Sequence, residues 1–151
     1  MRTCGDCAAC CTTTAVLPLD KPPDVRCKHL TDSVKPACGS CSVYAIRPGA
    51  CQMFSCEWLR GHGPDEHRPD LSGVVSELMY QGDKPFLVTL VLAPGFKEHN
   101  RTVREVVKFW RAKGVAVLLG KTLDATPEQY RMLSNCIVRH GDGSVTTIKA
   151  T

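Results

Sequence analysis

A chain of 151 residues with 43% hydrophobic residues, 23% charged residues and a net charge of +4 has the composition of a folded globular protein. No stretch approaches the ~20 apolar residues that a membrane span requires, and the modest charge disfavours a nucleic-acid-binding surface. The N-terminus carries no apolar segment of the kind found in secretory signals, so we expect a cytoplasmic protein whose thiols stay reduced.

Cysteine dominates the first third of the chain. Nine of the ten cysteines lie in residues 1–56, and only Cys136 lies outside. Core packing does not explain this density, because cysteines used as small hydrophobes are scattered singly. In a reducing compartment such thiols are metal ligands or redox groups. The alternative is a disulfide framework, which requires export to an oxidising compartment.

Little regular structure is expected in the first 70 residues. Small residues between the thiols of residues 1–16 favour a tight loop over a buried helix, and three prolines in residues 17–24 exclude a regular helix. Residues 48–59 favour a short helix that ends near Gly61. A polar connector rich in glycine and proline, residues 61–69, marks an internal boundary.

That boundary predicts a metal-binding cysteine-cluster region at 1–70 and a small α+β region at 71–151. In the second region, residues 71–80 and 86–92 read as strands joined by a hairpin loop. Thr102 and Glu105 form a capping pattern for a helix that ends at Lys113–Gly114. Its apolar face is formed by Val103, Val106, Val107 and Trp110.

The chain then continues with a short apolar strand at 115–119 and a helix that starts at Thr126–Pro127 and reaches towards Asn135. Residues 136–139 are compatible with helix or strand. A turn at 141–143 and a final edge strand at 144–149 complete the pattern. The fold class is therefore α+β: a cysteine-rich, metal-held N-terminal half, and a small sheet with one or two packed helices.

Cys4, Cys7 and Cys10 follow one another with two residues between each pair, which places three thiols on one loop. This spacing is typical of iron–sulfur loops, and thiolates suit structural zinc equally well. The second half of a site is offered by Cys38, Cys41, Cys51 and Cys56.

Adjacent cysteines rarely direct both side chains at one ion. Cys10 and Cys11 therefore serve two neighbouring centres, or one of them ligates while the other packs or reacts. Among the histidines, His29 is the candidate ligand because it follows Cys27 closely, and the others are interpreted as solvated. Cys136 is expected to be a buried core thiol.

The cysteine pattern resembles the YkgJ-type cysteine-cluster family, which is described as a zinc- or iron-chelating domain. The resemblance spans residues 4–70, and the matching motifs are Cys4-x2-Cys7-x2-Cys10-Cys11, Cys27-x2-Leu30 and Cys41-x-Val43-Tyr44-x2-Arg47-Pro48-x2-Cys51-x2-Phe54-x-Cys56-x-Trp58-Leu59. It implies eight metal ligands, without Cys38: Cys4, Cys7, Cys10, Cys11, Cys27, Cys41, Cys51 and Cys56. Arg47 would neutralise thiolate charge, and Pro48 would stiffen the approach to Cys51.

The sequence thus predicts a metal-binding protein whose cysteine cluster holds zinc or iron, including an iron–sulfur cluster, in a structural or in a redox or sensing role. The alternative is an iron-dependent enzyme with substrate at an open metal position. The family includes a region of flagellin lysine methylases, but no glycine loop here follows a strand and opens a helix, as nucleotide-type cofactors require. No catalytic residue is assigned.

Overall fold

In a computed structural model the chain forms a small α+β fold, as its sequence predicts. The structure describes residues 1–35, 37–120, 122–133, 136–139 and 145–148. In these residues a four-stranded mixed sheet and a two-stranded sheet combine with short helices. The cysteine-rich segment packs against the larger sheet.

The helices in the described residues are α1 (Ala9–Thr13), α2 (Gly49–Met53), α3 (Pro69–Ser72), α4 (Arg101–Ala112) and α5 (Pro127–Leu133). The strands are β1 (Val74–Gln81), β2 (Lys84–Leu92), β3 (Ala116–Leu119), β4 (Thr122–Asp124), β5 (Ile137–Arg139) and β6 (Val145–Thr147). Single 3₁₀ turns lie at Leu17–Leu19, Tyr44–Ile46 and Asp65–His67.

The larger sheet has the strand order β1-β2-β3-β4. β1 and β2 form an antiparallel hairpin with a two-residue turn at 82–83, where Gly82 takes a positive φ of 60° that glycine adopts without strain. β2 and β3 are parallel, and α4 makes the crossover that parallel strands need. β4 then pairs antiparallel with β3, and β5 and β6 form the second sheet.

Both faces of the larger sheet are buried. On one face, Val103, Val106 and Trp110 of α4 pack on strand residues that point towards the helix, namely Val74, Leu78, Val88, Leu90 and Val117. Strand side chains alternate between faces, so the neighbouring residues pack on the other side. There, a second apolar cluster forms from Leu87, Ala116, Leu118, Leu133, Val138 and Ile148.

Small side chains dock the cysteine-rich segment on the sheet. Ala9 of α1 and Ala37 are buried against Val75 of β1 and against Ala93, which follows β2. Val75 is the neighbour of Val74 and therefore points away from α4. Because alanine has no side chain beyond Cβ, α1 approaches the strand closely at this point.

Glu57 fastens the segment around Cys56 to the edge strand β1. Its side chain is only 1% exposed. The Glu57 amide donates to the Ser76 carbonyl at 3.0 Å, and the Leu78 amide donates to Oε1 of Glu57 at 3.2 Å. These bonds use polar groups that an edge strand otherwise leaves unpaired. Cys56 is thereby held beside the sheet.

Several predicted elements are confirmed. The β1–β2 hairpin and the apolar face of α4 are present, with Val107 partly buried. At the start of α5, the Thr126 amide donates to Oε1 of Gln129 at 2.8 Å, and the Gln129 amide donates to Oγ1 of Thr126 at 3.2 Å. Residues 137–139, which the sequence left open, form β5. The predicted turn at 141–143 lies outside the described residues.

Other element predictions are wrong. Residues 1–16 contain α1, because burial of its alanine and threonine side chains against the sheet outweighs their weak helical pattern. α2 covers only Gly49–Met53 of the expected 48–59 helix. Residues 71–72 belong to α3 rather than to β1. α4 begins at Arg101, so Thr102 lies in its first turn and does not cap it. β4 was missed.

The longest described helix, α4, has 12 residues, and no helix in the described part of the chain has the length and apolarity that a membrane crossing requires. The division into regions 1–70 and 71–151 stays a prediction. The apolar cluster around Ala9 and Val75 contains residues from both sides of that division.

Candidate metal centre

All eight cysteines that the family resemblance implies line a single cavity of about 390 Å³. They are Cys4, Cys7, Cys10, Cys11, Cys27, Cys41, Cys51 and Cys56. Its walls are otherwise largely apolar, with Leu30, Phe54 and Leu59 among the lining side chains. All ten cysteines of the chain are free thiols.

Backbone hydrogen bonds bring together cysteines that lie far apart in the sequence. The first loop turns back on itself where the Cys7 amide donates to the Cys4 carbonyl at 2.9 Å. The Cys27 amide donates to the Cys11 carbonyl at 3.0 Å, which joins the second cysteine segment to α1. Residues separated by 16 positions thus become neighbours without an intervening strand or long helix.

The later cysteines are tied in the same way. Leu30 and Cys41 form an isolated antiparallel bridge. Pro48 precedes α2, and its carbonyl accepts the Cys51 amide at 2.9 Å, so the proline lies where the sequence placed it, at the approach to Cys51. The cavity is therefore built by loops and one-turn helices. Such segments gain little stability from regular hydrogen bonding.

Two of the thiols lie against the sheet. Cys7 and Cys56 pack with Phe54 beside Val75 and Ala93. Burial raises the pKa of the Cys7 thiol to about 12, and it also raises the pKa of Cys56. A thiol at this position is protonated unless a cation is bound, because the charged form is poorly solvated.

Backbone amides point at both of these sulfurs. The Ala9 and Asp70 amides donate to Cys7 and lower its pKa against the larger effect of burial. The Leu59 and Trp58 amides do the same for Cys56. Hydrogen bonds to a sulfur that carries negative charge stabilise the thiolate, and such bonds around the ligand also tune metal–thiolate sites.

The adjacent thiols of Cys10 and Cys11 both line the cavity and interact with each other. The Cys10 thiol donates a hydrogen bond to the Cys11 sulfur, which raises the pKa of Cys10 and lowers that of Cys11. The pKa of Cys11 falls to about 7, because the positive charges of Lys21, Arg26 and Arg47 add to this bond and outweigh burial.

Arg47 faces several thiols at once. Its positive charge lowers the pKa of Cys4, Cys11 and Cys51, although burial, the largest effect on Cys4 and Cys51, raises theirs. The guanidinium carbon lies 3.8 Å from the ring centroid of Tyr44, and Nη1 donates to the Tyr44 carbonyl at 2.7 Å. These contacts hold the cation beside the cavity, the position that the sequence hypothesis requires.

Of the histidines that the structure describes, His29 alone lines this cavity, which agrees with its selection as the candidate ligand. Nε2 of His62 lies 3.5 Å from Oε2 of Glu57. The His67 ring contacts the edge of Phe109, with ring centroids 5.1 Å apart. These two histidines therefore have structural partners elsewhere.

Cys38 lies outside the cysteine cavity, as its omission from the family pattern implies. Its thiol is buried and donates to Oδ2 of Asp70 at 3.6 Å. It borders a second cavity of about 300 Å³, beside Asp6 and Arg68. Arg68 donates to the two oxygens of the Asp70 carboxylate, from Nε at 2.6 Å and from Nη2 at 2.7 Å, which makes a bidentate pair.

Cys136 is also distant from the site, but the expectation of a buried core thiol is wrong. It is only partly buried, and its thiol donates to the Met132 carbonyl at 3.8 Å. It lies between the end of α5 and the start of β5.

Sequence reasoning missed Lys21 and Asp70. Lys21 is buried in the cavity wall, and Asp70 accepts hydrogen bonds from the thiols of Cys7 and Cys38. Neither residue belongs to a recognisable motif. The weak signal for Lys21 is its position between Asp20 and Pro22, where turn chemistry can direct a side chain inward.

The donor set suits zinc or iron. Thiolate sulfur is the preferred ligand of zinc and of iron–sulfur clusters, and the surrounding cations and amides match the negative charge of such groups. As they stand, however, no three Cys, His, Asp or Glu side chains in the described residues are close enough together to hold one ion. Binding therefore requires the thiols around the cavity to move towards one another.

Comparison of this chain with protein-family models, with curated proteins and with solved structures finds no match.

The two half-buried cysteines Cys7 and Cys11 give the first test. In metal-free, reduced protein at about pH 7.5, we expect iodoacetamide to modify Cys11 at least about tenfold faster than Cys7, because only the thiolate reacts. The pKa values of about 7 and about 12 give Cys11 much the larger thiolate fraction at that pH. Timed quenching followed by peptide mass spectrometry measures both rates in one sample. Equal rates would contradict the electrostatic description of the cavity.

Proposed function

We propose that this protein binds zinc or iron through its cysteine cluster, and that the metal has a structural role or a redox or sensing role. The observation that carries the proposal is the convergence of eight cysteines from four separate segments on one cavity. Eight free thiols gathered on one apolar cavity have no role in ordinary core packing, where cysteine is used singly.

The number of cysteines favours a closed site, in which protein ligands occupy every position around the metal. Four thiolates complete the tetrahedral shell of a structural zinc ion, and four also hold a common iron–sulfur cluster. The eight cysteines therefore supply enough ligands for two complete centres. A catalytic centre keeps a position free for water or substrate, so this surplus of thiols favours binding, structure or electron transfer over catalysis.

The charges around the cavity support the same function. A divalent ion with four thiolates carries two surplus negative charges, which an apolar wall cannot solvate. Lys21, Arg26 and Arg47 lie close enough to lower the pKa of Cys11. The resemblance to a zinc- or iron-chelating family adds support. A cytoplasmic location is part of this proposal, because free thiols persist in a reducing compartment.

The cysteine set can be tested one residue at a time. We expect each Cys→Ser replacement at the eight cavity positions to lower the metal content of protein purified without oxygen to about half or less. The reason is that a four-ligand centre loses metal affinity when any one of its ligands is removed. Metal per protein chain is measured by inductively coupled plasma mass spectrometry.

Cys38→Ser and Cys136→Ser are the matched controls, since both remove a thiol that does not line the cavity. Both controls should keep the wild-type metal content. If a cavity variant retains the full metal stoichiometry, the replaced cysteine is not a metal ligand. Retention by all eight variants, or wild-type protein without metal, would refute the proposed function.

Metal removal should unfold the two parts of the protein unequally. The free energy of metal binding contributes to the folding of the cysteine loops, because the unfolded chain has no preformed metal site. After chelation we expect loss of hydrogen-exchange protection at loop amides such as Cys27 and Thr31, which donate to Cys11 and Ser40. Amides of β2 and β3 should keep their protection, because the side chains of these strands pack in two apolar clusters that contain no cavity cysteine. Mass spectrometry of the exchanged peptides measures the protection of the cysteine loops and of the strands separately. Unchanged protection in the cysteine loops would show that metal does not hold them.

A further inference from the structure

Lys21 is the one buried lysine in the described part of the chain. Its relative exposure is 6%, although lysine is almost never buried without a partner. Its ammonium group donates to the carbonyl oxygens of Thr14 and Pro22, the second at 3.3 Å. An ammonium group has three donors, so these two carbonyls leave one further N–H.

The backbone around this residue directs the side chain inward. Val16 and Lys21 form an isolated bridge, with each amide donating to the carbonyl of the other at 2.9 and 3.2 Å. The intervening residues make the 3₁₀ turn Leu17–Leu19, and Asp20 takes a positive φ of 49°. Aspartate tolerates this left-handed conformation better than most residues. The turn therefore fixes the start of the lysine side chain at the cavity wall.

The groups that face Lys21 are mainly thiols. Lys21 lines the cysteine cavity, and the groups whose charge favours its ammonium form are, in decreasing order, Cys27, Cys11, Asp24 and Cys10. Asp24 is exposed, so water weakens its effect. Burial opposes these effects and lowers the pKa of Lys21. A buried ammonium group beside neutral thiols is poorly compensated, whereas beside thiolates it is paired.

We propose that Lys21 is a built-in counter-ion for the metal–thiolate centre, with its buried ammonium offsetting the negative charge on the Cys11 and Cys27 side of the cavity. This inference rests on the proposed metal-binding function. Charge pairing is strongest where water is excluded. Lys21 therefore acts more strongly than Arg26, which is exposed and screened by solvent.

A purely structural role is the competing explanation. The two carbonyl contacts could hold the loop 14–22 in shape without any influence on the metal. Lys21→Gln separates the roles, because an amide can still donate hydrogen bonds to carbonyls but carries no charge. Lys21→Arg keeps the charge, and Lys28→Gln is the matched control, since Lys28 is exposed and follows Cys27 directly.

The experiment measures metal affinity by competition with a chromophoric chelator, using zinc alone as the probe. We expect Lys21→Gln to weaken zinc binding by about tenfold, Lys21→Arg to restore most of the affinity, and Lys28→Gln to stay within about twofold of wild type. If the bound metal is redox-active iron, the same loss of charge makes its midpoint potential more negative.

Thermal unfolding of the metal-free proteins supplies the second readout. Removing the charge should destabilise the metal-bound protein more than the metal-free protein, because the metal-bound thiolates place more negative charge beside Lys21 than the ionised Cys11 does alone. Equal zinc affinity of wild type and Lys21→Gln would overturn the inference, and so would equal destabilisation of the metal-free and metal-bound forms. Should the glutamine variant not fold, Lys21→Asn is the second variant, because it also keeps an amide donor and carries no charge. Wild-type protein that binds no metal would instead refute the proposed function itself.

Discussion

Gathering eight thiols around one cavity is the constraint on which the first part of this structure depends. The cysteines come from segments with few helical turns, so regular hydrogen bonding contributes little to their order. Burial adds an electrostatic penalty, because it raises the pKa of thiols such as Cys7 and Cys56. In the proposed function, a bound cation would remove both difficulties, because it would favour the thiolate forms and would cross-link the loops that carry them.

The sheet provides the rigid side of this arrangement. α4 buries one face of the strands, and the segment around α1 covers part of the other. Glu57 bonds to the free edge of β1 and fixes Cys56 next to it. Cys7 and Cys56 are thus placed by the sheet, whereas Cys11 and Cys27 lie on loops beside Lys21. The cavity therefore has one wall that the sheet positions and one wall made of loops, which the proposed metal would organise.

Cysteine spacing and the family resemblance selected eight cysteines, and all eight line one cavity; their role as metal ligands stays a prediction. Helical periodicity was enough for α4, whose valines recur on one face. α1 and β4 were missed for a common reason. Both are short, and tertiary packing or pairing with β3 decides their structure. The sequence carries only a weak signal for the burial of Lys21, because the pattern around Asp20 and Pro22 does not specify the turn that places this side chain in the cavity wall.

X-ray absorption spectroscopy at the edge of the bound metal, on wild-type protein purified without oxygen, measures directly which atoms ligate the metal. We expect the nearest neighbours to be mainly sulfur, at about 2.3 Å if the metal is zinc. Sulfide-bridged iron would add an iron–iron contribution and identify a cluster. Nearest neighbours made of nitrogen and oxygen, or protein that holds no metal, would rule out thiolate binding in this cavity, because eight thiols and a single histidine are among the described residues that line it.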